Sequence, residues 1–342
     1  MVRPLAFYLP QFHPIPENDL WWGKGFTEWT NTAKAVPLFE GHYQPHIPAD
    51  LGFYDLRVPE TRAAQADLAR RYGIEGFCYY HYWFGGGRRL LEQPFNEVLA
   101  SGAPDFPFCL CWANQSWTSR WHGESAETMA QQTYPGEADY SAHFEWLLGA
   151  FRDRRYVTVD GRPLFLVFDL SDLPDPAGFC GLWRRLAEQA GLPGLYLLGV
   201  NHGRDNTEPA PTGFDGVVSM RLPLGRYDEF EINNDTRVVD HREAARLELA
   251  PEQPGLVEYP CIGPSWDNTP RLGRRGMVYE HSSPDLFRAT VSRAVGRLSS
   301  RPPEHQLLFL KAWNEWAEGD HLEPDLRYGH GWLEALRNGM AG

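Results

Sequence analysis

The chain has 342 residues, enough for one large domain or two ordinary ones and for a substantial core. Its 32 Lys and Arg against 45 Asp and Glu leave a formal charge of -13, which repels phosphate backbones and anionic membrane surfaces, so nucleic acid is not an expected partner. With 42% hydrophobic and 23% charged residues the composition is globular, and no apolar run approaches the roughly 18 residues of a membrane span, which excludes disordered, fibrous and membrane-spanning classes.

Along the chain, short β-rich apolar runs alternate with longer helical patterns, the signature of a parallel sheet covered by helices. The predicted strands are Arg3 to Leu9, Gly76 to Tyr82, Phe106 to Trp112, Pro163 to Asp169, Leu195 to Val200, Gly216 to Met220, Val257 to Ile262 and Leu307 to Trp313. Helical patterns fall between them at Pro59 to Tyr72, Leu90 to Ser101, Asp139 to Arg152, Phe179 to Ala190, His241 to Leu249 and Pro284 to Ser299, with a last one at Tyr328 to Asn338. The fifth connection, Asn201 to Asp215, carries no convincing helix. No linker, repeat or composition break interrupts the pattern, so the expected fold is one (β/α)8 TIM barrel over residues 1–342 with extended βα loops, ahead of a doubly wound sheet.

Aromatic residues are the unusual part of the composition, with 13 Trp, 15 Tyr and 19 Phe. Many of the tryptophans lie among Asn, Gln, His and Glu, and a flat face with one polar edge suits sugar rings. Cys78, Cys109, Cys111, Cys180 and Cys261 form no C-x-x-C pair and are expected to be reduced and mostly buried. The N-terminal MVRPLAFYLPQFHP is interrupted by Pro10 and Pro14 and lacks the apolar core of a signal peptide, so the expected location is cytoplasmic.

A barrel places functional residues just after each strand, on the C-terminal face. Tyr8, Gln11 and His13 follow the first strand, His81, Tyr82 and Trp83 the second, Trp112, Asn114, Gln115 and Trp117 the third, and Asp169 the fourth. Trp266 follows the seventh strand, and Trp313, Asn314, Glu315, Trp316, Glu318 and Gly319 follow the eighth. Glu315 and Glu318 stand three positions apart, which puts them on opposite faces of a strand and on one side of a helical turn. They can therefore act together only if the strand stops near Glu315 and the backbone coils, with Gly319 ending the turn. Two convergent carboxylates in an aromatic pocket can have their pKa values pushed apart, giving one acid and one base, the machinery of glycoside cleavage. The plainer alternative is a pair of solvated loop glutamates.

Other patterns carry less. His42 and His46 have the spacing of a metal pair, but Pro45 between them excludes the helical zinc motif, and no metal or other cofactor is expected. Gly85, Gly86 and Gly87 before Arg88 and Arg89 lack the features of a phosphate-binding loop and read as a flexible turn. With no Asp-x-Asp in the chain, a diphosphate-bound metal has no obvious ligand set.

As a set, Phe7 to His13, Trp21-Trp22-Gly23-x-Gly25-Phe26-x-Glu28-Trp29, Cys111-Trp112-Ala113-Asn114 and Trp313-Asn314-Glu315-Trp316-Ala317-Glu318-Gly319 resemble the WbsX-like group, which is related to the family 99 endo-α-mannosidases. The resemblance covers nearly the whole chain and adds Trp22, Glu28 and Trp29 to the candidate substrate-binding residues. It implies a (β/α)8 barrel and retaining cleavage of an α-linkage without a metal. Glu315 would be the base on the substrate's own 2-hydroxyl, giving a 1,2-anhydro sugar, and Glu318 the acid that protonates the leaving oxygen. The group also carries a glycosyltransferase label tied to surface-polysaccharide or O-antigen synthesis. Gln115 departs from the Glu common in that group and removes a charge there. The implied partner is an oligo- or polysaccharide. The expected function is a glycoside hydrolase acting on α-linked glycans, with a glycosyltransferase as the alternative and a non-catalytic glycan-binding barrel as the third, and the oligomeric state stays open.

Overall fold

The computed structural model describes residues 1–118, 127–203, 212–221, 231–233 (backbone only) and 235–342. Eight parallel strands form the barrel: β1 (Arg3–Tyr8), β2 (Gly76–His81), β3 (Phe108–Trp112), β4 (Arg162–Val167), β5 (Tyr196–Asn201), β6 (Gly216–Ser219), β7 (Glu258–Ile262) and β8 (Leu307–Leu310). Each pairs with the next, β3 joins β4 through Leu110 and Phe165, and β8 closes on β1 with Leu307 opposite Arg3. Every residue of β2, β3 and β5 is buried, which is why these strands read as unbroken apolar runs rather than alternating ones.

The covering helices are α1 (Pro59–Arg71), α2 (Gln93–Ser101), α3 (Glu137–Phe151), α4 (Pro176–Gln189), α5 (His241–Glu248), α6 (Pro284–Leu298) and α7 (Gly331–Ala341). Several start where the sequence offers both a cap and a proline. Asp175 accepts from Gly178 N at 2.9 Å before Pro176, and Ser283 accepts from Leu286 N at 3.3 Å before Pro284. The described part of the fifth connection has no helix, and 204–211 lie outside the described residues. All five cysteines are free and buried. Among the described residues no helix is long and apolar enough to cross a membrane.

Five of the barrel strands, β1, β2, β4, β6 and β8, end sooner than the apolar runs suggest. β4 stops at Val167 because the Asp169 N–H is taken by Asn114 Oδ1 at 2.7 Å instead of the ladder. β8 ends at Leu310, although the Lys311 N–H still donates to the Ile262 carbonyl at 3.0 Å, and the Lys311 ammonium reaches a group of carboxylates. The long β1–α1 connection holds two short helices, Pro16–Trp22 and Glu28–Lys34, and the β7–α6 connection holds a helical turn, Thr269–Leu272. None was predicted, since each is too short to show a helical period.

Candidate active site

At the C-terminal mouth of the barrel the first and third loops meet the segments after β7 and β8 around a pocket of about 880 Å³ including its open side. Gln11, Trp22, Glu28, Tyr82, Gln115, Trp117, Glu315 and Glu318 line it, joined by Leu9, Tyr80, Phe168, Arg271 and Lys311. Apolar walls with a few convergent polar groups are the usual make-up of a small-molecule site.

The segment after β8 has the conformation that the glutamate spacing demands. Asn314–Glu315 is extended and pairs with Asp320–His321, Trp316–Glu318 is a single 3-10 turn, and Gly319 closes it with φ of 59°. A Cβ on Gly319 would lie 2.8 Å from Asp267 Cβ, so glycine is required by both conformation and space. The turn brings Glu315 and Glu318 to one side, and both line the pocket.

Two cations hold them there. Arg271 Nη1 is 2.5 Å from Glu318 Oε1, and its Nη2 lies 2.9 Å from Glu28 Oε2 and 3.2 Å from Glu315 Oε2. Lys311 Nζ is 2.9 Å from Glu318 Oε2 and 3.8 Å from both Glu315 Oε1 and Asp320 Oδ2. Beside these carboxylates both Arg271 and Lys311 are held more firmly charged than usual despite their burial. Lys311 also sits 5.0 Å from the centre of the Trp266 ring.

The two glutamates are driven apart. Burial, then the negative charge of Glu318, raises Glu315 to about 7. Burial alone would raise Glu318 as well, but Lys311 and Arg271 outweigh it and keep Glu318 below the ordinary value. Asp320, buried beside them with Oδ1 unpartnered, is raised well above its ordinary value. Below about 7 the pair thus holds one proton, on Glu315, and their titration belongs to both.

The remaining candidate residues lie outside the pocket lining, and strand parity accounts for several. Tyr80 and Tyr82 face the pocket, so His81 between them faces α3, where its Nε2 meets His143 Nε2 at 2.8 Å and burial lowers it to about 3. Trp112 likewise points outward while Ala113 and Gln115 line the pocket, and its Nε1 donates to Trp83 O at 2.9 Å. Trp83 Nε1 donates to Asp139 Oδ2 at 3.0 Å. Tyr8 donates to Gln65 Oε1 at 2.7 Å, on the α1 side of β1. His13 is turned to the Pro10 carbonyl at 2.9 Å, and Trp29 donates to the Tyr54 carbonyl at 2.7 Å.

Two asparagines act as staples. Asn314 accepts from Leu9 N at 2.8 Å and donates to Leu9 O at 3.0 Å, locking the β8 segment onto the first loop. Asn114 grips the backbone of Asp169 in the same way, with 2.7 Å to both its N and its O. Asp169 Oδ2 accepts from Gln115 Nε2 at 2.6 Å, so it orients a pocket residue without lining the pocket itself. Trp313 is wholly buried against Phe77, and Trp316 donates to Glu323 Oε2 at 2.6 Å. Trp266 supports Lys311 from beneath.

Sequence reasoning missed Arg271 and Lys311. A lysine directly after Leu-Leu-Phe-Leu, four residues before Glu315, was a readable signal, because an ammonium at the end of a buried strand needs carboxylate partners. Arg271 gave none beyond its place on a loop after a barrel strand.

A family model described as Glycosyltransferase WbsX matches residues 4–336. The chain belongs to the WbsX glycosyltransferase family. Two relatives from Xanthomonas campestris pv. campestris, strains ATCC 33913 and B100, each named "Uncharacterized protein WxcX", are 43% identical over 98% of this chain. The chain spans about half their length, 49%. Among solved structures, a "glycoside hydrolase-like protein" superposes with a TM-score of 0.63 at 15% identity, covering 99% of this WbsX-family chain and 94% of its own. The GH99 endo-α-mannosidase of Bacteroides thetaiotaomicron gives 0.59 at 13% identity, covering 98% and 95%. At these identities the likeness is one of fold.

Proposed function

We propose that this WbsX-family barrel is a glycoside hydrolase acting on α-linked glycans, with Glu315 and Glu318 as its catalytic pair and a role in cell-surface polysaccharide metabolism. The observation that carries the reading is the pair itself: two carboxyls in one aromatic-walled pocket, displaced in opposite directions by burial and by the cations Arg271 and Lys311. Cleavage of a glycosidic bond needs one proton donor and one base, and a pair sharing a single proton near pH 7 supplies both. Trp22, Trp117, Tyr80 and Tyr82 offer flat faces for sugar rings, and Gln11 and Gln115 offer hydrogen bonds to hydroxyls.

The retaining route through the substrate's 2-hydroxyl, implied by the resemblance to the mannosidases, assigns Glu315 as base and Glu318 as acid. In the unliganded pocket that is the minor placement of the shared proton. The route therefore requires the proton to pass to Glu318 once substrate is bound. The test is hydrolysis of short α-linked oligosaccharides by Glu315→Gln and Glu318→Gln. Activity persisting in both variants would end the assignment, and rescue of only the acid variant by an activated leaving group would identify the donor.

The description of the family favours a second reading, transfer of a sugar onto a surface polysaccharide on the same site. A transferase must hold a nucleotide or lipid diphosphate, whereas Arg271 and Lys311 in this pocket are already committed to carboxylates. Thermal shift with nucleotide sugars against oligosaccharides separates the readings, since whichever ligand prefers the folded state raises Tm. A non-catalytic glycan-binding barrel would instead keep its affinity in both glutamine variants and show no turnover.

A further inference from the structure

The histidine that the sequence pairs with His42 has other company in the fold. His46, from the long first loop, meets His321 and Asp325, which follow the glutamate turn after β8, and one ligand atom from each of the three lies within 4.8 Å of the others. All three are buried. His321 Nδ1 faces the Glu323 carbonyl at 2.9 Å and must donate to it, which leaves His321 Nε2 an acceptor for the proton on His46 Nδ1. That acceptor nitrogen is 2.8 Å from His46 Nδ1 and stands 3.8 Å from Asp325 Oδ2. Asp325 Oδ1 is satisfied by the N–H groups of Arg327 and Tyr328, at 2.9 and 2.6 Å, but Oδ2 is buried with no donor at all. The Arg327 guanidinium does not answer it, since it lies over the Tyr43 ring, 4.3 Å from its centre.

A buried carboxylate oxygen without a donor, next to two neutral imidazoles that each have a nitrogen able to bind a metal, is a costly arrangement. A divalent cation satisfies it in one step. We propose that His46, His321 and Asp325 form a zinc site that ties the first loop to the segment carrying Glu315 and Glu318. Two imidazole nitrogens and one carboxylate oxygen are a donor set for zinc rather than for magnesium or calcium, which prefer all-oxygen shells. The Glu323 carbonyl on the far nitrogen of His321 fixes the tautomer a ligand needs, as partners of metal-bound histidines commonly do. His46 has only to move its proton to the other ring nitrogen, and its ring to back away from His321, because zinc ligands stand roughly 3.3 Å apart. A cleft of about 990 Å³ including its open side reaches His46 and Asp325 beside Tyr43 and gives an entry path and room for a water as fourth ligand. His321 stacks on Trp316 with ring centres 3.7 Å apart, so anchoring it anchors the turn that presents both glutamates.

The test uses the purified chain stripped with a chelator and dialysed against zinc chloride, with bound metal counted by mass spectrometry and Tm followed by scanning fluorimetry. The wild type should bind about one zinc per chain and gain several degrees in Tm, and magnesium should do neither. Asp325→Asn keeps the shape of the site and can donate to His321, so it should fold, lose at least tenfold in zinc affinity and show no metal-dependent shift. His46→Gln is the second variant and should behave alike. No stoichiometric zinc in the wild type, equal zinc binding by both variants, or equal retention of magnesium would each overturn the proposal.

Discussion

Lys311→Met tests the charge balance of the pocket. Four carboxyls, Glu28, Glu315, Glu318 and Asp320, face two cations, Arg271 and Lys311, in a nearly dry cluster. Neutrality needs two protons, and the two carboxyls raised above their ordinary values are Glu315 and Asp320. Methionine keeps the bulk of the lysine stem against Trp266 but leaves four carboxyls to one cation, so the folded variant must take up about one further proton, on Glu318. Loading a proton onto a group that ordinarily titrates at 4.5 costs about 1.4 kcal/mol for every pH unit above that value. The expected destabilisation is therefore roughly 3.4 kcal/mol at pH 7 and roughly 1.4 kcal/mol at pH 5.5.

The sign differs between the two proteins. In the wild type Glu318 is lowered, so its contribution is present above the unfolded value and is lost only on acidification through the folded one. In the variant the same carboxyl is raised, so stability is full below the unfolded value and is lost as pH rises. Urea unfolding of both proteins at pH 5.5, 6.25 and 7 measures the gap. A gap that stays constant within about 0.3 kcal/mol would refute the charge balance, and with it the opposed protonation of Glu315 and Glu318.

Glu315→Gln mimics the protonated form and should change stability at pH 6 by less than about 0.5 kcal/mol, whereas Glu318→Gln strips two buried cations of a counter-ion and should cost about 2 kcal/mol or more by urea unfolding. On an α-linked substrate each of these variants should lose about a hundredfold or more in kcat/KM. Whichever glutamate donates, the pair loses its only proton above about 7, so kcat/KM should fall about tenfold per pH unit beyond it, and a profile flat to pH 9 would exclude a proton donor in this pair. Gly319→Ala forces a left-handed backbone onto alanine and a contact with Asp267, which should cost about 2 kcal/mol or more and lower kcat, read by thermal unfolding and steady-state rates. Trp22→Ala should raise KM about threefold to tenfold with kcat little changed, as expected for a stacking face at the pocket edge.

The barrel was legible because buried parallel strands and their covering helices write two different periods into the chain, and eight such alternations leave few other architectures. The turn at Glu315 to Gly319 was legible for a local reason: three-residue spacing admits one side only if the backbone coils, and glycine is the residue that can end that coil. Parity within a strand decided what the sequence could not, namely which of two adjacent residues looks inward. His81 and Trp112 therefore turned to the helices while Tyr82 and Gln115 kept the pocket. Arg271 lies 44 residues from Glu315, and Asp325 lies 279 from His46, separations that no local pattern encodes. The chain by itself determined the fold and the acidic pair, because both follow from short-range stereochemistry. Only the closed barrel decided which cations set the protons on that pair and which three side chains meet behind it, because burial and charge act through space between segments the sequence keeps apart.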